Sequence, residues 1–186
     1  MMRNSAKKAM TTVSQRACFV IDHLIEALGG QSSSSLRRAM ILVDIDENPG
    51  TTPTDVMDRL GLHKSALTRE IEWLFNYGCI MREESETDGR AIKLVTCGYS
   101  KKALEAALDY FDGDHSTMNA FLDGFAKRLR QEKPTLRDAR IVSTIFEKGE
   151  ASKHDISSAL FDSSASTESR AINKLIEDGV ITGDAI

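Results

Sequence analysis

The chain has 186 residues, 41% hydrophobic and 28% charged, with 24 Lys and Arg against 28 Asp and Glu for a formal net charge of −4. This is an ordinary globular composition, long enough for one large or two small domains, each with an adequate core. No segment is strongly basic, which excludes loose nucleic-acid binding driven by charge alone and leaves room only for a specific reader with a few placed cations.

Three cysteines, Cys18, Cys79 and Cys97, form no CxxC pair and no Cys/His cluster at zinc spacing. That pattern points to a reducing compartment without structural metal. The N-terminus is basic but polar, without the apolar stretch of a signal peptide, and no run approaches transmembrane length. A cytoplasmic location away from membranes is expected.

Residues 1–10 read as a frayed lead. Over residues 12–28, Val13, Ala17, Val20, Ile21, Leu24 and Leu28 make a one-sided helical stripe that ends at Gly29-Gly30. A serine-rich connector leads to a helix over residues 36–47, with Met40 and Val43 inward, stopped by Asn48-Pro49-Gly50. Thr51 is placed for a minimal strand. Thr52-Pro53 then combines a capping hydroxyl with a proline whose missing N–H costs nothing at the first helical position. The short helix that follows turns Val56, Met57 and Leu60 inward and stops at Gly61. After a tight turn, residues 65–77 make a second helix with Leu67, Ile71 and Leu74 on one face, closed by Gly78. Two β-type runs, residues 79–83 and 91–95, flank a polar tip carrying Asp88-Gly89-Arg90. Helix, tight turn, helix, hairpin is the order of a winged helix-turn-helix, whose second helix is the one expected to enter a DNA major groove.

Ser100 is placed to cap a helix through Phe111, with Leu104, Ala107 and Leu108 on its apolar face. Asp112-Gly113-Asp114 interrupts it. Ser116 starts another helix, striped with Met118, Phe121, Leu122, Phe125 and Leu129 and ended by Pro134. These stripes and the first helix lie outside the compact winged unit, so a helical homodimer interface is expected from them.

The last fifty residues repeat the first winged unit. Leu36-Arg37, Ala39 and Ile41 recur as Leu136-Arg137, Ala139 and Ile141. Thr52, Asp55, Val56 and Leu60 recur as Ser152, Asp155, Ile156 and Leu160. One extra residue enters the turn, after which Ser65, Thr68, Arg69 and Ile71 are matched by Ser166, Ser169, Arg170 and Ile172. A match across a whole helix-turn-helix with its one gap in a loop is hard to obtain by chance. The expected architecture is therefore mainly α with a small β-hairpin wing: tandem helix-turn-helix units joined by dimerisation-type helices. Residues 1–133 form the winged unit with flanking helices (12–28 and 100–132), and residues 134–186 form a second unit with its wing short or missing. Lys64 becomes Ala165 in the second copy, so that unit is expected either to read DNA poorly, through Ser166, Ser169 and Arg170, or to serve as an interaction module.

The first unit resembles the MarR family of bacterial winged-helix regulators. The resemblance rests on PGTTPTDVMDRLGL entering the motif, KSALTREIEWL on the second helix, GCIMRE entering the wing and DGRAIKLVT at its tip and return. It covers about residues 12–130. It implies a dimeric transcription factor on a pseudo-palindromic operator, with room for a small effector between the winged unit and the dimer helices. His63 stands where that family usually has a stronger capping residue, and the second unit is not standard for it.

The candidate DNA-contacting residues are His63, Lys64, Ser65, Thr68, Arg69 and Arg90. Arg69 suits bidentate readout of guanine, the hydroxyls suit phosphate or base contacts, and Lys64 and His63 lie where a phosphate would pass. The competing reading of Arg69 is a surface pair with Glu72 or Asp58. Arg90 at the tip has the reach for a minor groove, oriented by Asp88. Trp73 and Phe75 are expected in packing. Cys18 stands where the peroxide-sensing branch of the same family has a reactive thiol, but Asp22 replaces the tyrosine one turn on. A carboxylate there raises a thiol pKa, so an inert buried cysteine is expected over a redox site. No phosphate-binding glycine loop, HExxH or nucleophile elbow occurs, and the four histidines are scattered, so neither enzyme nor cofactor is expected. Two competitors remain: an interaction adaptor that binds no DNA, and a plasmid or phage replication initiator reading directly repeated sites as a monomer.

Overall fold

The computed structural model describes residues 13–84 and 92–186. The N-terminal lead and the hairpin tip with Asp88, Gly89 and Arg90 lie outside the described residues.

The chain forms α1 (Val13–Ala27), α2 (Leu36–Glu47), α3 (Pro53–Leu60), α4 (Lys64–Asn76), β1 (Ile80–Glu84), β2 (Ile92–Thr96), α5 (Gly98–Leu108), α6 (His115–Arg128), α7 (Leu136–Lys148), α8 (Lys153–Ala159) and α9 (Ala165–Glu177). Single 3₁₀ turns follow α5 and close the chain at Gly183–Ala185. Among the described residues the result is mainly helical with a two-stranded antiparallel hairpin, as expected.

Local chemistry sets the element boundaries. Thr52 and Asp55 make a reciprocal capping box at α3: each side chain accepts from the other's backbone N–H. Gly61 ends that helix in the left-handed conformation, φ 61°, which a side chain would strain. The hairpin register pairs Ile80 with Thr96 and Glu84 with Ile92. Leu94 also exchanges hydrogen bonds with the Gly50–Thr51 segment, its N–H donating to Thr51 at 2.8 Å, which is the minimal third strand expected at Thr51. Cap boxes recur at Thr135 with Asp138 and at Ser152 with Asp155.

These exposed caps carry a pH signature. Hydrogen bonds from Thr52, from Thr117 and Ser116, and from Lys148 and Ser152 hold Asp55, Asp114 and Asp155 respectively below the usual carboxylate range, Asp114 down to about 2. A depressed folded-state pKa stabilises the fold fully above the unfolded value near 4, and the contribution is lost as pH falls toward the folded one. Urea midpoints measured from pH 5 to pH 2 are therefore expected to decline. Asp55→Asn should remove part of that slope.

Two helix starts differ from expectation. Ser100 does not cap α5. It is buried inside the first turn and donates its hydroxyl to the Ala27 carbonyl at 2.7 Å, tying α5 to the end of α1. The α6 cap is Asp114, with Ser116 N–H donating to it at 2.9 Å.

The larger difference concerns the apolar stripes. Ala17, Cys18, Val20, Ile21 and Leu24 of α1 are buried in the single chain, because α1 packs between α5 and α7. Met118 and Leu122 of α6 are buried against α2. The faces that periodicity assigned to a second copy are thus largely covered from within. Val13, counted in the stripe, is 82% exposed. Buried residues from Val20 to Ile181 form one continuous cluster, so residues on both sides of position 134 share a core. Each fully buried Leu or Ile in it contributes about 1.5–3 kcal/mol relative to exposure.

The starts of α2 and α7 meet at a seam. Ser35, the N-cap of α2, and Thr135, the N-cap of α7, form an antiparallel bridge. Leu36 N–H donates to Pro134 and Leu136 N–H donates to Ser34, both at 2.9 Å. Beside it, Ser32 N–H donates to the Asp162 carboxylate at 2.8 Å.

Candidate nucleic-acid interface

The α3–α4 pair is held to α2 by charge as well as apolar contact. Arg59 at the end of α3 donates to both oxygens of Asp44 on α2, at 2.8 and 2.7 Å, and to the Thr51 hydroxyl at 2.7 Å. One side chain therefore ties α2, α3 and the minimal strand together. Leu67, Ile71 and Leu74 bury the inner face of α4. Its outer face presents His63, Lys64, Ser65, Thr68, Arg69 and Glu72, all exposed.

His63 is the N-cap of α4 but makes no side-chain capping hydrogen bond. The first-turn N–H groups of this helix are left without a side-chain acceptor, an arrangement that favours an anion. Thr68 donates its hydroxyl back to the Lys64 carbonyl at 2.8 Å, which spends its proton and leaves only its acceptor capacity. Arg69 lies along its own helix, its Nε donating to the Ser65 carbonyl at 3.3 Å.

The competing surface pairs do not form. Glu72 is held by Arg82 of β1 at 2.6 Å, and Glu70 by Arg38 of α2 at 2.7 Å. Arg38 also stacks over the Trp73 ring, 3.8 Å from its centroid, and Trp73 stacks on Tyr77 at 3.9 Å. Among the described residues no carboxylate pairs with Arg69. The acids of α4 are thus neutralised by arginines from neighbouring elements, while Lys64 and Arg69 keep their charge for solvent or a polyanion. Periodicity within α4 could not reveal this, because Arg38 and Arg82 arrive from other elements. Trp73 packs as expected. Phe75 does not: it is 42% exposed, with the Arg82 guanidinium over its ring at 4.5 Å.

Behind Arg69 lies a recess of about 670 Å³ between α2, α4, α6 and the segment before α7, walled by Arg38, Met40, Trp73, Lys127 and Pro134. A second, more apolar groove of about 760 Å³ runs between α1, α6 and α7 and includes Val13, Phe125 and Phe146.

The remaining candidates are dispersed. Ser166 and Arg170 are exposed on α9, and Ser169 is half-buried. Ser166 shares a hydroxyl contact of 3.1 Å with Ser164, the α9 cap. Arg90 falls outside the described residues. Among the described residues no His, Cys, Asp or Glu cluster could hold a metal, and no helix is long and apolar enough to cross a membrane.

Cys18 sits in the α1–α7 seam. Arg140 donates to its sulfur at 3.1 Å and to both oxygens of Asp22 at 2.6 and 3.2 Å, and the thiol itself donates to Glu147 at 3.5 Å. Burial pushes the thiol up to about 12; Arg140 opposes this, and Glu147 and then Asp22 add to it. The expected effect of Asp22 is present but is the smallest of these, since Arg140 already pairs that carboxylate. At neutral pH Cys18 is expected to resist iodoacetamide in the folded protein, while half-buried Cys97 reacts first. Mass mapping of alkylated sites checks this, and rapid folded-state labelling of Cys18 would reverse the assignment.

Residues 35–92 match the model of the MarR family. That span runs from the α2 cap through the helix pair to the first residue of β2. Among solved structures, the chain is similar to FabT of Streptococcus pneumoniae in complex with DNA, at 20% identity and TM-score 0.39, over 47% of this chain and 59% of that one. It is also similar to overoxidized AbfR bound to DNA, at 18% identity and TM-score 0.40, over 68% of this chain and 90% of that one. The transcriptional regulator SlyA is similar at 19% identity and TM-score 0.37, over 61% and 79%. The chain thus spans little more than half of FabT. No curated protein matches it.

Proposed function

From the family match over residues 35–92, we propose that this chain is a sequence-specific DNA-binding transcriptional regulator that lays α4 in a major groove. The observation that carries the reading is electrostatic. On an acidic chain, α4 presents Lys64, Ser65 and Arg69 outward while its own Glu70 and Glu72 are tied down by Arg38 and Arg82. Arg69 reads a guanine, the uncapped first turn and Lys64 take phosphates, and Arg90 at the hairpin tip enters the adjacent minor groove.

A pseudo-palindromic operator needs two readers. The homodimer expected from the apolar stripes loses much of that ground, because the chain buries most of them itself. What remains for a second copy is the groove between α1, α6 and α7, where Phe146 is 64% exposed. The recess behind Arg69 would take a small effector, since any ligand there touches the reading helix and α6 together.

Selection from random duplexes by the purified chain tests the reading. Enrichment of a defined motif supports it. Enrichment of none would instead favour the interaction adaptor, whose winged fold carries no base-reading face.

A further inference from the structure

An antiparallel backbone pair has a local twofold axis between its paired residues. Here the paired residues are Ser35 and Thr135, which are equivalent in the internal repeat at an offset of one hundred. The hydrogen bonds obey the same exchange: Leu36 to Pro134 and Leu136 to Ser34, both 2.9 Å. Both residues are N-caps, so α2 and α7 leave the axis at once, with no loop between to scatter their directions.

The packing follows the same operation. The helix before α2 is α1, and it lies on α7; the helix before α7 is α6, and it lies on α2. A twofold that exchanges α2 with α7 and α1 with α6 turns one of these contacts into the other. Equivalent capping boxes then start α3 and α8, and α4 and α9 follow. By this symmetry α9 stands to the second half as α4 stands to the first.

The face α9 exposes is related to that of α4 but not identical. Ser166 and Arg170 stand at the positions of Ser65 and Arg69. Asn173 and Lys174 stand where α4 has Glu72 and Trp73, and both are exposed. Arginine matches guanine and asparagine matches adenine in the major groove. Ala165 replaces Lys64, so one phosphate contact is missing at the start of α9.

Resting on the DNA-binding reading above, we propose that α9 is a second, non-equivalent DNA reader, and that one chain spans two inverted, unlike half-sites. The pseudo-twofold in the fold supplies the inversion that a homodimer would obtain from a second copy. The same geometry opposes the replication-initiator reading, which calls for directly repeated sites.

The test uses the full chain throughout. A duplex motif is first selected, then the mass of the complex on that duplex is measured by sedimentation, and the selection is repeated with Arg69→Ala and Arg170→Ala. The expected result is one 20.5 kDa chain per duplex and two unlike inverted halves. Each variant should flatten the preference in its own half roughly 5- to 150-fold while leaving the other half intact. Arg170 is exposed, so its variant should melt as the parent does. Two chains per duplex on identical halves, a motif with a single half, or a silent Arg170→Ala overturns the proposal while the DNA-binding reading stands. No motif at all removes that reading, and this one with it.

Discussion

Arg69→Ala is expected to lower affinity for the selected duplex roughly 5- to 150-fold, the range for one bidentate guanine contact worth about 1–3 kcal/mol. The loss should fall on the bases that Arg69 contacts and be much smaller on random duplex. The folded protein should hardly notice, because the side chain is exposed and gives up only a 3.3 Å hydrogen bond to its own helix. Lys64→Ala should behave differently. It should weaken specific and random duplexes alike and reduce the salt slope by about one counterion. The whole slope should be shallow, because the chain carries a net charge of −4 and places few cations on α4. Competition binding at two salt concentrations separates the two effects. An Arg69→Ala protein with unchanged base preference would remove α4 as the reader.

Arg59→Met is expected to destabilise the fold by about 2–3 kcal/mol. Removing one partner of a buried pair strands the other charge, which typically costs about 3–5 kcal/mol; the lower figure applies here because Arg59 retains 36% side-chain exposure and water can reach the site. The stranded group is Asp44, whose side chain is only 5% exposed. For a chain of this length the loss should lower Tm by about 4–12 °C. Adding Asp44→Leu to Arg59→Met should recover much of it, since an apolar pair of similar volume replaces the stranded carboxylate. Thermal melts of the parent, the two single variants and the double variant decide the matter. Additive losses in the double variant would show that packing, not the ion pair, sets the cost. Arg59 also holds the α3–α4 pair to α2, so DNA affinity should fall with stability in the single variant and return with it in the double.

Much of this molecule could be read along the chain, and the reasons are local. Thr52-Pro53 with Asp55 three residues on, Gly61 and the Leu67–Ile71–Leu74 spacing act within one or two turns, so α3 and α4 appear within a residue of their expected bounds. The hairpin pairs neighbouring runs of the chain and is similarly local in origin, whereas the Thr51 bridge reaches Leu94, more than forty residues on. Ser100 and Ser116 misled because a serine near a helix start can be a cap or a first-turn residue. Which one it becomes depends on whether an acceptor such as the Ala27 carbonyl, more than seventy residues away in sequence, is in reach.

By itself, then, the order of residues determined the helix-turn-helix-hairpin and the exposed face of α4 on which Arg69 lies. Periodicity says that a face is apolar but not what covers it, and so the stripes of α1 and α6 pointed outward to a second copy. Only the tertiary structure decided that α5, α7 and α2 cover them, that Arg38 and Arg82 silence the acids beside Arg69, and that Ser35 pairs with Thr135. The physical reason is range. Caps, turns and side-chain spacing act over a few residues, whereas burial and ion pairing depend on partners brought from far along the chain, and those partners exist only once the core has closed.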